Sequence, residues 1–189
     1  FPHHTNEIAQ SEAYLGQKWC NYWFHVRHLN ANAGKMSKSS GEFLTVSALE
    51  KHGYDPLAYR FFCLLSHYRK TLEFTYEALD NAVFAYDKLI CKIAALEKEG
   101  AVDNTVFDRF VAQFAEAMDN DLNTSLAITA VYDVLKSEAN GATKRALLAK
   151  FDTVLSLGLL EAAEKRAAAQ TACDREADAE ILAQIKLRA

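Results

Sequence analysis

The chain has 189 residues, of which half are hydrophobic, and its 21 Lys and Arg against 25 Asp and Glu give a formal net charge of −4. Length and hydrophobic content suffice for one or two domains with a real core, whereas no apolar run is long enough to span a membrane. The chain also lacks the basic excess of a nonspecific nucleic-acid binder, and its 2 prolines and 7 glycines leave few helix breakers.

The first thirty residues are predicted to form a helix and then a strand. Pro2 suits the first turn of a helix over residues 2–15, which ends before Gly16. On that helix His3 and Glu7 share a face and could reach one metal ion, but zinc needs three or four protein ligands. Spacing alone therefore favours a surface ion pair or a satisfied core histidine. In residues 19–29, His25 and His28 alternate with apolar residues, which predicts a strand packed against a core.

A short basic and hydroxyl-rich stretch follows, between Gly34 and Gly41. Lysine is a point charge on a flexible stem and serine is a hydroxyl donor, so this stretch suits a mobile loop that closes on polyphosphate. The alternative is a solvated, charged turn. The candidate residues are Lys35, Met36, Ser37, Lys38 and Ser39.

Residues 45–74 are predicted to hold two short helices. Thr45 can cap the first, which ends at Gly53, and Asp55 can cap the second, with Pro56 at its first position. The apolar residues available for burial on the second helix are Tyr59, Phe61, Phe62, Leu64 and Leu65.

From Thr75 onward the hydrophobic spacing predicts four helices. The first carries a stripe at Leu79, Val83, Tyr86, Ile90 and Ile93 and ends at Gly100. The second carries Val106, Phe107, Phe110, Val111, Phe114 and Met118. The third, capped by Asn123 or Thr124, carries Leu126, Ile128, Val131 and Leu135, and the fourth spans 143–157. Short connections favour an antiparallel four-helix bundle.

Two sets of potential metal ligands have structural interpretations. Asp119 and Asp121 resemble a metal pair, but a capped turn between helices explains them better. The four cysteines are scattered without a CxxC spacing, which argues against a zinc ribbon or redox pair. Cys20, Cys63 and Cys91 lie in apolar or aromatic surroundings and are predicted to be buried, reduced thiols.

Several motifs together resemble one family. FPHHTNEIAQSEA at the start, followed by GKMSKSSGEF, closely resembles cysteinyl-tRNA synthetase, a class I aminoacyl-tRNA synthetase. The resemblance continues through NYWFH, DPLAYRF, SHYR and AMDNDLNT, and departs at Thr5, where the family commonly has Glu. It implies a mainly α fold: the end of a Rossmann-type catalytic domain, a connecting module that contains the KMSKS motif, and an antiparallel four-helix bundle.

The resemblance also implies domain boundaries. Residues 1–30 would end the catalytic domain, and 31–74 would form the connecting module. Residues 75–160 would form a DALR-type tRNA-binding bundle, and 161–189 would begin a truncated C-terminal region. Arg69 and Lys70 are candidates for tRNA backbone contacts, although solvation of surface charges explains each of them more simply.

By the same resemblance, the parent protein activates cysteine with ATP and Mg2+ and transfers it to tRNA(Cys). Lys38 and Lys35 would be catalytic, and Met36, Ser37 and Ser39 would help to bind ATP. His3 and Glu7 would be ligands of Zn2+, which two cysteines outside this chain would complete. A cytoplasmic monomer that binds no membrane is expected.

Because the chain contains no HIGH-type motif, we expect it to be inactive by itself. Because the two cysteine ligands of the family lie outside it, we expect it to bind zinc weakly or not at all. Two alternatives remain open from the sequence. One is a cysteine ligase that acts on an amino sugar in mycothiol synthesis, and the other is a non-catalytic helical interaction module.

Overall fold

The computed structural model describes residues 2–31 and 45–172. Within these residues the chain forms eight helices and two short strands, which confirms the mainly α prediction. They are α1 (Pro2–Leu15), β1 (Leu29–Ala31), α2 (Val46–Lys51), α3 (Pro56–Leu64), β2 (Leu72–Phe74), α4 (Tyr76–Ala94), α5 (Asn104–Asp119), α6 (Thr124–Lys136), α7 (Gly141–Leu155) and α8 (159–172). No helix in this part of the chain is long and apolar enough to cross a membrane.

Short polar side chains begin the helices largely as predicted. The Thr45 side chain accepts a hydrogen bond from the Ala48 N–H, and the Asp55 side chain accepts one from the Leu57 N–H. Asn123, rather than Thr124, caps α6. The helix predicted from residue 143 begins at Gly141, because Asn140 caps it. Each cap satisfies an N–H group that has no partner within the helix.

The buried side chains form one hydrophobic cluster shared by α2–α8 and β2. The prediction that Leu65 and Leu126 are buried is wrong, because their side chains are 42% and 46% exposed. Leu65 is the C-cap of α3, where the helix ends. Leu126 lies in the first turn of α6, beyond its buried stripe. The fully buried members with the largest side chains include Phe61, Phe151, Leu79, Leu89, Ile93, Leu147, Leu148 and Val131.

The predicted burial of the cysteines is also corrected. Cys91 is exposed, because it shares the solvent face of α4 with Asp87 and Lys88. Cys20 and Cys63 are only half-buried. Cys173 lies outside the described residues.

The helices pack in two groups, which meet where α3 contacts α6 and at the corner between α7 and α8. Helices α5, α6 and α7 pack against one another, whereas α4 lies mainly along α3. At the corner, the Tyr86 hydroxyl donates a hydrogen bond of 2.7 Å to the Leu157 carbonyl. Arg60 Nε donates one of the same length to the Leu155 carbonyl. The side chain of Asp152 accepts from the N–H groups of Leu157 and Leu159. The corner therefore links α3 and α4 to α7.

The N-terminal stretch contacts the rest of the structure through a parallel strand pair. Leu29, Asn30 and Ala31 pair in register with Leu72, Glu73 and Phe74. Helix α1 has no buried residue. The prediction of a packed strand over residues 19–29 is wrong for 19–28, which are not in a strand and are largely exposed. A strand needs a partner for its backbone groups, and β2 supplies one only for 29–31.

Candidate functional site

The two predicted metal ligands lie on α1, one helical turn apart. His3 and Glu7 are both exposed on this helix. Imidazole nitrogen and carboxylate oxygen are donors that zinc accepts. Within residues 2–31 and 45–172, however, no group of three or more His, Cys, Asp and Glu side chains could hold a metal ion. The two side chains therefore have the donor atoms that zinc binds, but two ligands are fewer than a zinc site needs.

Aromatic rings cluster next to this pair. His4 stacks on Trp23 with 4.2 Å between ring centroids, and its ring lies 4.6 Å from that of His25. Trp19 meets Trp23 edge to face at 5.8 Å. Partial burial and the neighbouring His25 lower the pKa of His4 below its ordinary value. His4 is therefore mainly neutral at neutral pH and packs as an aromatic ring.

The predicted ATP-binding residues lie outside the described part of the chain. These are Lys35, Met36, Ser37, Lys38 and Ser39. Strand β1, which ends at Ala31, is the last described element before them in the sequence. Their roles stay predictions.

The SHYR and MDNDLNT motifs, which are far apart in the sequence, meet in space. The Tyr68 hydroxyl donates a hydrogen bond of 2.5 Å to Asp121 Oδ1, and Arg69 forms an ion pair with the same carboxylate through Nε. Arg69 Nη2 also donates a hydrogen bond of 3.2 Å to Asp121 Oδ1, and His67 Nε2 lies 3.9 Å from Oδ2. We refer to His67, Tyr68, Arg69 and Asp121 as the junction cluster.

The electrostatics of the junction cluster favour an ionised carboxylate. Hydrogen bonds from Tyr68 and Arg69 lower the pKa of Asp121, because they stabilise its charged form. The same hydrogen bonds raise the pKa values of Tyr68 and Arg69. At neutral pH Asp121 is therefore a carboxylate, Arg69 a guanidinium group and Tyr68 a neutral phenol.

The junction cluster borders a largely apolar cavity of about 430 Å³. Side chains from the stretch before β1, from α3 and from the turn between α5 and α6 form its walls. In it, burial raises the pKa of the Cys63 thiol, which keeps that thiol protonated at neutral pH. The apolar lining residues include Phe24, Val26, Leu29, Leu64, Leu72, Met118 and Leu122.

The structure shows the surroundings of four charged residues that the sequence singled out. Arg69, a candidate for tRNA contact, forms an ion pair with Asp121 while its side chain is 66% exposed, and its contact with tRNA stays a prediction. Lys70 is exposed at the cavity. Asp119 is exposed, and Asp121 faces Tyr68 and Arg69, so the metal-pair alternative has no support in the described residues.

Sequence reasoning missed the junction cluster, because Asp121 lies more than fifty positions from the other three members. The one available signal was that Asp and Asn tolerate a left-handed backbone better than most residues. Asp121 adopts that conformation with φ 57°, and Leu122 follows with φ 53°. The side chain that such a turn would meet could not be read from the sequence.

Two family models match the chain. The model described as tRNA synthetases class I (C) catalytic domain matches residues 1–84, and the DALR domain model matches residues 113–161. The first match contains α1, the strand pair and the SHYR loop, and the second contains the MDNDLNT turn. The junction cluster therefore spans both matched regions.

Curated relatives match most of the chain. Cysteine–tRNA ligase 1 of Burkholderia lata is 42% identical over 160 residues, which cover 84% of this chain and 33% of the relative. The cysteine–tRNA ligase of Novosphingobium aromaticivorans is 40% identical over 172 residues, covering 84% and 35%. That of Streptococcus mutans is 41% identical over 157 residues, covering 83% and 35%. The chain thus spans about a third of the length of these relatives, and it contains sequence of both the class I (C) catalytic domain and the DALR domain. It belongs to the cysteine–tRNA ligase family.

Proposed function

We propose that the natural polypeptide containing this chain joins cysteine to tRNA(Cys) at the expense of ATP. The observation that carries the proposal is the match, over 84% of the chain, to proteins named cysteine–tRNA ligase. The two domain matches support it, because one is to a class I synthetase catalytic domain. A cytoplasmic location and a monomeric state belong to the same proposal.

In the proposed reaction the carboxylate of cysteine attacks the α-phosphorus of ATP, forms cysteinyl-adenylate and releases pyrophosphate. The ribose hydroxyl at the end of tRNA then attacks the activated carbonyl and releases AMP. Negative charge gathers on the phosphate in the first step, so a lysine placed there stabilises the transition state more than the ground state. We assign this role to Lys38 and Lys35. Met36, Ser37 and Ser39 complete the ATP-binding segment, and Mg2+ accompanies ATP.

Zinc is a separate part of the proposal. His3 and Glu7 would supply two of its ligands, and the remaining ligands would come from outside the described residues. When bound, zinc would supply a soft Lewis acid that prefers a thiolate to a hydroxyl group. Such a preference would separate cysteine from serine by more than the shape of a pocket could.

We further propose the finer architecture given by the resemblance. Residues 1–30 end the catalytic domain, 31–74 form the connecting module, 75–160 form the four-helix bundle, and 161–189 begin a C-terminal region. The mutual packing of α5, α6 and α7 supports three helices of this bundle, whereas α4 lies mainly along α3. The RNA-contacting surface is proposed to include this bundle, in agreement with the DALR match.

The test is cysteine-dependent exchange of pyrophosphate into ATP by the natural polypeptide, followed by charging of tRNA(Cys). Replacing Lys38 by Ala removes a charge-assisted contact worth about 3 kcal/mol in the transition state, so exchange should fall about a hundredfold. The matched control is Lys51→Ala, which removes an exposed lysine from the last turn of α2. Equal activity of the two variants would contradict the role of Lys38.

The comparison of exchange with charging tests the acceptor. Exchange together with charging supports the ligase. Exchange without charging of tRNA would favour a ligase that transfers cysteine to another acceptor, such as an amino sugar. Absence of exchange by a folded natural polypeptide would contradict the enzymatic proposal as a whole.

A further inference from the structure

The turn that holds Asp121 is fixed by the helices on either side of it. The Leu122 N–H donates to the Met118 carbonyl at 2.9 Å, and the Asn123 N–H donates to the Ala117 carbonyl at 3.1 Å. Asn123 in turn caps α6. Because α5 and α6 pack against each other, this turn holds the Asp121 backbone at the end of the helix pair. The Asp121 carboxylate is therefore positioned by the helices rather than by its own loop.

The partners of Asp121 belong to a different part of the chain. Tyr68 and Arg69 lie in the loop that leads into β2. The Tyr68 ring stacks on Phe24, with 4.4 Å between centroids, and the Tyr68 carbonyl accepts a hydrogen bond of 2.9 Å from the Arg27 N–H. Strand β1 begins two residues after Arg27 and pairs with β2. Tyr68 thus contacts Asp121 with its hydroxyl group and the stretch before β1 with its ring and backbone.

We infer that Asp121 is a positioning residue, which acts through Tyr68 and Arg69 to hold residues 24–31 against the α5–α6 turn. Residues 24–31 directly precede, in the sequence, the segment that carries Lys35 and Lys38. The part of the inference that concerns catalysis therefore rests on the proposed function. The part that concerns residues 24–31 stands on the contacts alone.

The cluster is suited to orientation more than to global stability. Asp121 and Arg69 have side chains that are 45% and 66% exposed, and exposed ion pairs add little to stability. The carboxylate nevertheless receives a phenol and two guanidinium nitrogens in one arrangement. Several directional contacts to one charged group add geometric specificity. We therefore expect Asp121 variants to change local order while the melting temperature shifts by no more than about 3 °C.

The variant that isolates the carboxylate is Asp121→Asn in the natural polypeptide. Asn keeps the side-chain shape and tolerates the left-handed backbone, whereas Ala would add strain to the turn. The matched control is Asp119→Asn, which changes an exposed carboxylate two residues earlier that makes no ion pair within the described residues. Tyr68→Phe serves as a second variant, because it removes the hydroxyl group and keeps the ring on Phe24.

The first readout is cleavage by trypsin of the bond between Arg27 and His28 under native conditions, followed by mass spectrometry. Loss of the Asp121 contacts should speed this cleavage about fivefold, because the stretch tied to Tyr68 opens more often. Cleavage after Lys18, which precedes the tied stretch, should not change. Unchanged cleavage at Arg27 in both Asp121→Asn and Tyr68→Phe would overturn the inference.

The second readout is pyrophosphate exchange, with kcat and the KM for cysteine measured separately. Misplacement of a catalytic segment lowers the rate of the chemical step, so kcat should fall about tenfold or more in Asp121→Asn while the KM for cysteine stays near the wild-type value. Exchange equal to that of Asp119→Asn would overturn the catalytic part. If the wild-type protein shows no exchange, the proposed function fails, and the cleavage readout still decides the role of Asp121.

Discussion

The hydroxyl group of Tyr86 donates a hydrogen bond of 2.7 Å to the carbonyl oxygen of Leu157, 71 residues further along the chain. Tyr86 is 4% exposed and Leu157 is fully buried. Leu157 follows α7 at the corner where the chain turns into α8, and Ser156 before it has a left-handed backbone with φ 51°. The contact therefore satisfies a buried carbonyl in a turn and joins α4 to that corner.

Replacing Tyr86 by Phe should destabilise the protein by about 1–2 kcal/mol. The change keeps the ring in the core and leaves the Leu157 carbonyl without this donor, which is the costly way to lose a hydrogen bond. Urea unfolding measures the effect. Tyr132→Phe is the matched control, because Tyr132 is half-buried and its hydroxyl makes no hydrogen bond to another described residue. Equal loss in the two variants would contradict the role of the Leu157 contact.

The stability of the protein should fall at alkaline pH. Burial raises the pKa of Tyr86 to about 12, from an ordinary value of 10.0. In the unfolded chain Tyr86 loses its proton near the ordinary value, whereas in the folded protein it keeps the proton up to about pH 12. The stability contributed by this residue is therefore complete below pH 10.0 and is lost as pH rises toward 12.

Urea unfolding at about pH 9 and about pH 11.5 tests this linkage. Tyr59 has its pKa raised to about 12 by burial as well, so both residues contribute to the loss in the wild-type protein. The difference in free energy of unfolding between wild type and Tyr86→Phe isolates Tyr86, and it should shrink at the higher pH. A constant difference would mean that Tyr86 ionises equally easily in the folded and unfolded states.

Gly141 lies against the backbone of the segment that follows α4. A Cβ atom at this position would stand 2.3 Å from the Glu97 carbonyl oxygen and 2.8 Å from the Glu97 nitrogen. We expect Gly141→Ala to destabilise the protein by about 2 kcal/mol, because backbone must move to admit the methyl group. Thermal unfolding shows whether the variant is less or more stable than the wild type. Helix propensity alone predicts the opposite, a gain of up to about 1 kcal/mol, so a stabilised variant would disprove the close approach.

Thr143 connects α7 to the start of α5. Its side chain is fully buried, and its Oγ1 accepts a hydrogen bond of 2.9 Å from the N–H of Asp103, the residue that caps α5. Thr143→Val keeps the shape and leaves that N–H unsatisfied, which should cost about 2 kcal/mol. The control is Thr153→Val, an exposed position on the same helix, where a change within about 0.5 kcal/mol is expected. Chemical denaturation compares the two.

The proposed zinc role of Glu7 predicts a change in metal content. Glu7→Gln in the natural polypeptide removes a charged oxygen ligand, so zinc retained after dialysis should fall about tenfold. Metal analysis by mass spectrometry measures it without relying on activity. Glu12→Gln, on the same helix, should keep the wild-type zinc content. Equal retention by both variants would remove Glu7 from the ligand set.

Local patterns in the sequence were enough to predict most helices. Three helices begin at the capping residues that the sequence predicts, Thr45, Asp55 and Asn123. A cap can be predicted locally because its side chain needs only an N–H group two or three residues away. The stripe through Leu79, Tyr86 and Ile93 is buried, because residues three or four apart share one helical face. Short motifs also predicted the family, which depends on the order of residues and not on their packing.

Tertiary structure alone decided the contacts between distant segments. Residues 19–28 have the alternation of a strand, yet only 29–31 meet a partner, since pairing depends on where β2 lies. The meeting of Asp121 with Tyr68 depends on a left-handed turn and on the packing of α5 against α6. The close approach of Gly141 to Glu97 depends on how the end of α4 meets α7. Periodicity describes a single element, whereas these contacts follow from the relative placement of several.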